Sequence, residues 1–222
     1  PLAQDTAVFD DTGSAGTITI PVSFNVGVVN MSARTSAMTL TPQSTLFVYG
    51  NWSFGTGVTS GANASLTAVT FAGRGTQTIT SNGVTFNHPI TVRCVTGTVQ
   101  LADALSLGST RTLTLNSGTF DAVTYNVTTG SFTFSNSNAR TLKMGSGTWT
   151  LSGTGAVWDA STTTNLNFYK GTANTVLSDT STTARSFSSG GLSYNKLTIG
   201  GTTGTSTTTI TGNNQFTELA ST

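Results

Sequence analysis

Apolar and hydroxyl-bearing residues alternate along most of this chain, and that alternation sharply limits what it can fold into. Residues 17–20 (TITI), 112–115 (TLTL), 131–134 (SFTF), 148–151 (TWTL) and 197–199 (LTI) each set Leu, Ile, Phe or Trp on one side and Thr or Ser on the other. A period of two marks a half-buried β-strand. Pairs that suit tight turns separate the strings, as at Asn82-Gly83, Ser117-Gly118 and Gly190-Gly191. The composition points the same way, with 49 Thr and 26 Ser but only three Lys and a single Glu, Glu218. Helical bundles and coiled coils draw on Ala, Leu, Glu and Lys, so both are excluded. Thr is β-branched and tolerates water, which fits it to the outer side of a strand.

The alternating units also repeat. Residues 111–120 (RTLTLNSGTF) match residues 140–149 (RTLKMGSGTW) without a gap at an offset of 29. Residues 77–86 (QTITSNGVTF) and 185–194 (RSFSSGGLSY) are weaker copies, 34 before the first and 45 after the second. The unit is strand, glycine turn, strand, with loops of unequal length between copies. Short strands recurring at such spacing predict an all-β solenoid, a parallel β-helix with inward apolar residues and outward Thr, Ser and Asn. Trp158-Asp159 is unrepeated, which argues against a propeller. An antiparallel β-sandwich is the alternative. Residues 1–65 read as an N-terminal cap or first coils, and residues 66–222 as the repeat region, truncated at the C-terminus.

Bulk properties exclude several functions. The net charge of +1, with nine scattered basic residues, offers no field for nucleic acid. No apolar run reaches the length of a membrane-crossing helix, so no membrane insertion is expected. Cys94 has no partner for an internal disulfide and sits in an alternating strand, as a buried small hydrophobe would. The lone His88 stands in an Asn-His-Pro turn, a poor base for a Cys94 nucleophile.

Residues 73–86 (GRGTQTITSNGVTF), 97–105 (GTVQLADAL), 118–121 (GTFD), 125–128 (YNVT) and 190–199 (GGLSYNKLTI) form a further set of strings. Together they resemble predicted structural and tail-fibre-like proteins of tailed bacteriophages. Related strings occur in bacterial surface proteins, and the resemblance spans residues 46 to 216. It implies a virion-exposed β-helical fibre, spike or decoration module, often trimeric in such fibres. It carries over no catalytic residue.

Glycan cleavage needs two carboxyls at a set separation. Asp103, Asp121, Asp159 and Asp179 are the candidates, each near a turn where Asp commonly bonds the local backbone. Asp10 and Asp11, adjacent in sequence, would point to opposite sides of a strand. Asp5, Asp10 and Asp11 read as a solvated terminus rather than a calcium site, and no His/Cys cluster suits zinc. Trp149 and Tyr194 share the repeat position of Phe86 and Phe120, which argues for core. Trp158, Phe168 and Tyr169 lie in a more irregular stretch and are the candidate glycan-contact residues. Threonine strings at 76–80, 112–114, 148–150 and 207–211 raise ice binding, but their uneven spacing argues against one flat array.

The expectation is therefore a non-enzymatic virion protein without metal or cofactor. It would sit on the virion surface as a homo-oligomer, a trimer by preference, or against neighbouring virion proteins, and contact a host surface glycan. The alternative is a secreted or surface-anchored bacterial adhesin; a glycan-cleaving spike and an ice-binding protein rank lower.

Overall fold

The computed structural model describes residues 2–13, 16–61, 67–200 and 206–222. Among them are 24 strands and no helix, and every strand pairing is parallel. The chain winds through about nine turns of a β-solenoid. At about 4.8 Å between neighbouring strands, the stack is roughly 40 Å long.

Each coil has three faces. On the first, Thr6–Val8, Val28–Asn30, Trp52–Ser53 and Thr76–Thr80 lead into the later parts of Ile90–Leu101 and Thr112–Asp121, then Arg140–Lys143 and Leu166–Tyr169. The second carries Gly16–Ile20, Met38–Pro42 and Val58–Ser60, and further along Leu105–Ser106 through Gln215–Ser221. Its two groups of strands are bridged at Phe86, whose N–H donates to Ser106 O (2.7 Å) and whose carbonyl accepts from Ser60 Oγ. The third face runs from Phe24–Val26 to Thr208–Thr211.

The stacking step explains the uneven repeats. On the first face Val99 pairs with Phe120, Phe120 with Leu142 and Leu142 with Phe168, steps of 21, 22 and 26 residues. The sequence offset of 29 is thus one coil plus one side. Residues 111–120 turn from the third face to the first, whereas residues 140–149 turn from the first to the second. The repeat detected in sequence is a strand–corner–strand unit that recurs at different corners. Its last residue, Phe86, Phe120, Trp149 or Tyr194, is buried in every copy.

Its first residue is buried too, and is polar. Gln77, Arg111, Arg140 and Arg185 open the four copies, and Arg34 is a fifth such residue. Each bonds main-chain groups of its own corner or of the neighbouring coil's. Gln77 Nε2 donates to Val48 O and Gly50 O, and its Oε1 accepts from Gly73 N. Arg111 Nε donates to Asn87 O. Arg185 donates to Asp179 O and Gly200 O, and Arg34 to Asp10 O, Gly13 O, Ser36 O and Ala37 O. A corner has no ladder to satisfy its carbonyls, and a guanidinium supplies five donors to do so.

Aromatic rings fill the axis. Trp52, Phe54 and Phe86 cluster in the early coils. In the later coils contacts run from Phe120 through Trp149, Phe132, Trp158 and Phe187 to Tyr194 and Phe216. Strands from residues 6 to 60 pair in register with those that follow, while the division drawn at 65/66 falls outside the described residues.

Candidate functional site

The three candidate glycan-contact residues part company. Trp158 is wholly buried, stacks on Phe187 at 5.3 Å, and donates its indole N–H to Tyr194 Oη at 3.0 Å. This corrects the expectation for Trp158: the ring is buried in the core and has no surface to offer a ligand. Phe168 is half-buried, packed on Phe134 and Tyr194. Tyr169 alone is open, 58% exposed. It ends an outward column on the first face, Thr78, Gln100, Asp121, Lys143, Tyr169, in consecutive coils.

The carboxylates are dispersed and committed to the backbone. Asp103 accepts from Ser81 N (2.7 Å) and Asn82 N (2.6 Å) of the preceding coil. Asp121 accepts from Val123 N, Asp159 from Ser161 N and Oγ, and Asp179 from Ser181 N and Oγ. The coil neighbours of Asp121 are Gln100 and Lys143, and those of Asp159 are Thr133 and Ser188. Stacking therefore brings neither a second carboxyl. Asp11 lies in a turn and Asp10 just before it, neither on a strand as expected. Asp11 accepts from the amides of Thr35 and Ser36 and stands 3.6 Å from Arg34. Hydrogen bonds from Thr35 and Ser36 hold its pKa down at about 2. Among the described residues no three His, Cys, Asp or Glu gather as a metal site would require.

Cys94 is fully buried, with its thiol directed at Phe71 O and Gln77 Oε1, both at 3.3 Å, rather than at His88. Desolvation raises its pKa to about 11, and that of His88 is lowered, also by burial. A neutral thiol and a neutral imidazole at separate corners make no nucleophilic dyad.

Threonines align better than their sequence spacing suggests. Thr76, Thr98, Thr119 and Thr141 pair in succession on the first face, and Thr70, Thr91, Thr114 and Thr133 on the third. Unequal loops bulge at the corners and leave the columns in register. The neighbouring column on the first face carries Asp121, Lys143 and Tyr169, which breaks any flat hydroxyl array there.

The basic residues are less scattered than they look in sequence. Arg34, Arg111, Arg140 and Arg185 are buried corner clips. Lys143 pairs with Asp121 at 3.2 Å, and Lys196 with Glu218 at 2.7 Å. Lys170 reaches Tyr194 O and Thr217 Oγ1. Arg74 and Arg93 remain, both exposed, and neither side chain makes a hydrogen bond or ion pair among the described residues. They occupy the corner between the third and first faces in consecutive coils. Sequence reading missed them because nothing in a linear chain tells an outward arginine from a clip; only the absence of a following strand–turn–aromatic unit at Arg93 hints at the difference.

Comparison with family models, with curated proteins and with solved structures finds no match to this chain. What stands is the class: an all-β, parallel β-solenoid repeat protein.

Proposed function

We propose that the chain is a non-enzymatic structural module of a virion, a fibre, spike or decoration module of a tailed bacteriophage that meets a host surface glycan. The assignment to a phage particle rests on the sequence resemblance over residues 46 to 216. The observation that carries the non-enzymatic part is the fate of the carboxylates. Each candidate aspartate accepts main-chain amides, and the stack brings neither Asp121 nor Asp159 beside another acid. A retaining or inverting glycosidase needs two carboxyls facing one bond.

A three-faced stack with an aromatic axis also suits a stiff rod. Its energy comes from ladders and apolar burial, each large side chain contributing about 1.5–3 kcal/mol. Trimerisation would set three such rods side by side. Light scattering on the purified chain, with viscometry of host capsular polysaccharide, tests both halves. A mass near three chains and unchanged viscosity is the expected result. Depolymerisation abolished by Asp121→Ala or Asp159→Ala would overturn the reading.

A further inference from the structure

Arg74 and Arg93 stand uncompensated in consecutive coils. Arg74 lies in the corner Gly73-Arg74-Gly75, which seats directly on the next coil: Thr98 N donates to Gly75 O at 3.1 Å. A side chain at Gly97 would strike Gly73 O at 2.3 Å, so glycine is what lets the two corners close up. Arg93 belongs to that next coil, just after the Val92–Phe71 pair, and is itself paired with Ser117 below. The register slips between Val92 and Thr98, and this bulge pushes Val95 out until it is 78% exposed. Beside it opens a cleft of about 360 Å³ lined by Arg93, Val95, Asn116, Ser117, Asn138 and Ala139. Asn138 Nδ2 donates to Asn116 O and Oδ1, both at 3.2 Å, which fixes the two amides as a pair along the cleft floor.

We propose that this corner binds an anionic glycan, its carboxylate or phosphate substituent held between Arg93 and Arg74. The sugar hydroxyls would bond Asn116, Ser117 and Asn138, and a C–H face would lie on Val95. The proposal rests on the reading of the chain as a module that meets a surface glycan, and it names the chemistry of that glycan. Charge selects the ligand. Four of the nine cations are consumed inside the fold and two are matched by carboxylates, yet these two are left bare in adjacent coils, and no acid lines the cleft. An arginine fork suits carboxylate and phosphate equally. Nucleic acid is the poorer fit, because the cleft has no aromatic platform for bases and two cations are few for a phosphate backbone.

Polygalacturonate (carboxylate), a glycerol-phosphate teichoic acid (phosphate), dextran (neutral) and single-stranded DNA are the probes, titrated by calorimetry at several salt concentrations. Arg93→Gln, Arg74→Gln and the remote Lys170→Gln are the variants, with melting temperatures confirming the fold. One anionic polymer is expected to bind and dextran not. The slope of log K against log salt would be about −1.4 for two charges, at the roughly 0.7 per charge seen with flexible single strands. Each arginine variant should weaken binding about tenfold and halve the slope, while Lys170→Gln changes neither. Preference for DNA, or anion binding indifferent to both arginine variants, would overturn the cleft. Binding of dextran or host cells undisturbed by either variant would also overturn it but leave the recognition role standing. Failure to bind any glycan or host cell would remove both.

Discussion

Arg140 offers the sharpest test of how the corners are held. Its side chain is 2% exposed and meets no carboxylate. Instead the guanidinium donates to Phe134 O at 2.5 Å, Asn138 O at 2.9 Å, Thr164 O at 2.8 Å and Thr162 O at 2.6 Å. Two of these carbonyls belong to its own corner and two to the next coil's. Hydrogen bonds from a charged donor contribute about 1.5–3 kcal/mol each, so the gross gain is about 6–12 kcal/mol. Burying the cation costs several kcal/mol, and burial lowers its pKa accordingly. On removal, the carbonyls of the exposed residues Asn138, Thr162 and Thr164 recover water, while Phe134 is buried and its carbonyl does not. The net cost of Arg140→Met is then about 3–5 kcal/mol, the gross hydrogen-bond gain less the desolvation cost of the buried cation. In a chain of this size that lowers the melting temperature by roughly 6–20 °C. Arg140→Lys keeps the charge but not the planar fork, and should lose about 2 kcal/mol. Arg93→Met, exposed and unbonded, should change stability by less than about 0.5 kcal/mol. The assay is urea unfolding read by tryptophan fluorescence. Arg140→Met within about 1 kcal/mol of the parent, or Arg140→Lys indistinguishable from it, would refute the clip.

Other sites give cheaper tests. Val123 is β-branched yet sits at φ 55°, in line with the positive φ of Gly145, whose added Cβ would strike Val123 O; Val123→Asn should stabilise by about 1 kcal/mol, seen as a higher urea midpoint. Tyr194→Phe strands the Trp158 indole N–H and the Ser189 carbonyl, and should cost about 1–3 kcal/mol by the same measurement. Cys94, its pKa raised to about 11, should resist iodoacetamide at pH 8 in the folded chain and react at once in urea; modification of the native protein would contradict its burial. Asp11 has a folded pKa depressed to about 2 from 3.8, so its contribution is complete above the unfolded value and lost as pH falls through the folded one. Protection factors of the Thr35 and Ser36 amides, corrected for the intrinsic pH dependence of exchange, should therefore fall between about pH 4 and pH 2, and stay low and flat in Asp11→Asn.

The fold class was legible because the alternation is local. Thr112–Asp121 reads in-out along its length, and the structure buries Leu113, Leu115 and Phe120 while leaving Thr112, Thr114 and Thr119 half-exposed. The shared repeat position also placed Trp149 and Tyr194 inside. Trp158 was misread because its stretch is irregular. The Gly155–Asp159 strand carries a register shift between Ala156 and Trp158, so Val157 and Trp158, adjacent in sequence, are both buried. A period of two cannot report a bulge that turns one residue over. Tyr169 kept its outward side because Leu166–Tyr169 holds a regular register with Arg140–Lys143.

The coil length was hidden for a different reason, and the same reason bears on function. A solenoid constrains its sides, where ladders must stay in register, and leaves its corners free to lengthen. Steps of 19 to 30 residues coexist with straight threonine columns because most of the variation is taken up where no ladder exists. Corners thus need their own fastening, which the buried arginines and Gln77 supply, and arginine becomes the residue that marks corners in the sequence. An arginine at a corner that fastens nothing is then the exception with meaning. It is not needed for the stack, it is not balanced by an acid, and it sits where length and composition vary without harm to the core. On this scaffold a specificity would be expected to change there, at Arg74 and Arg93, while the flat faces stay constant.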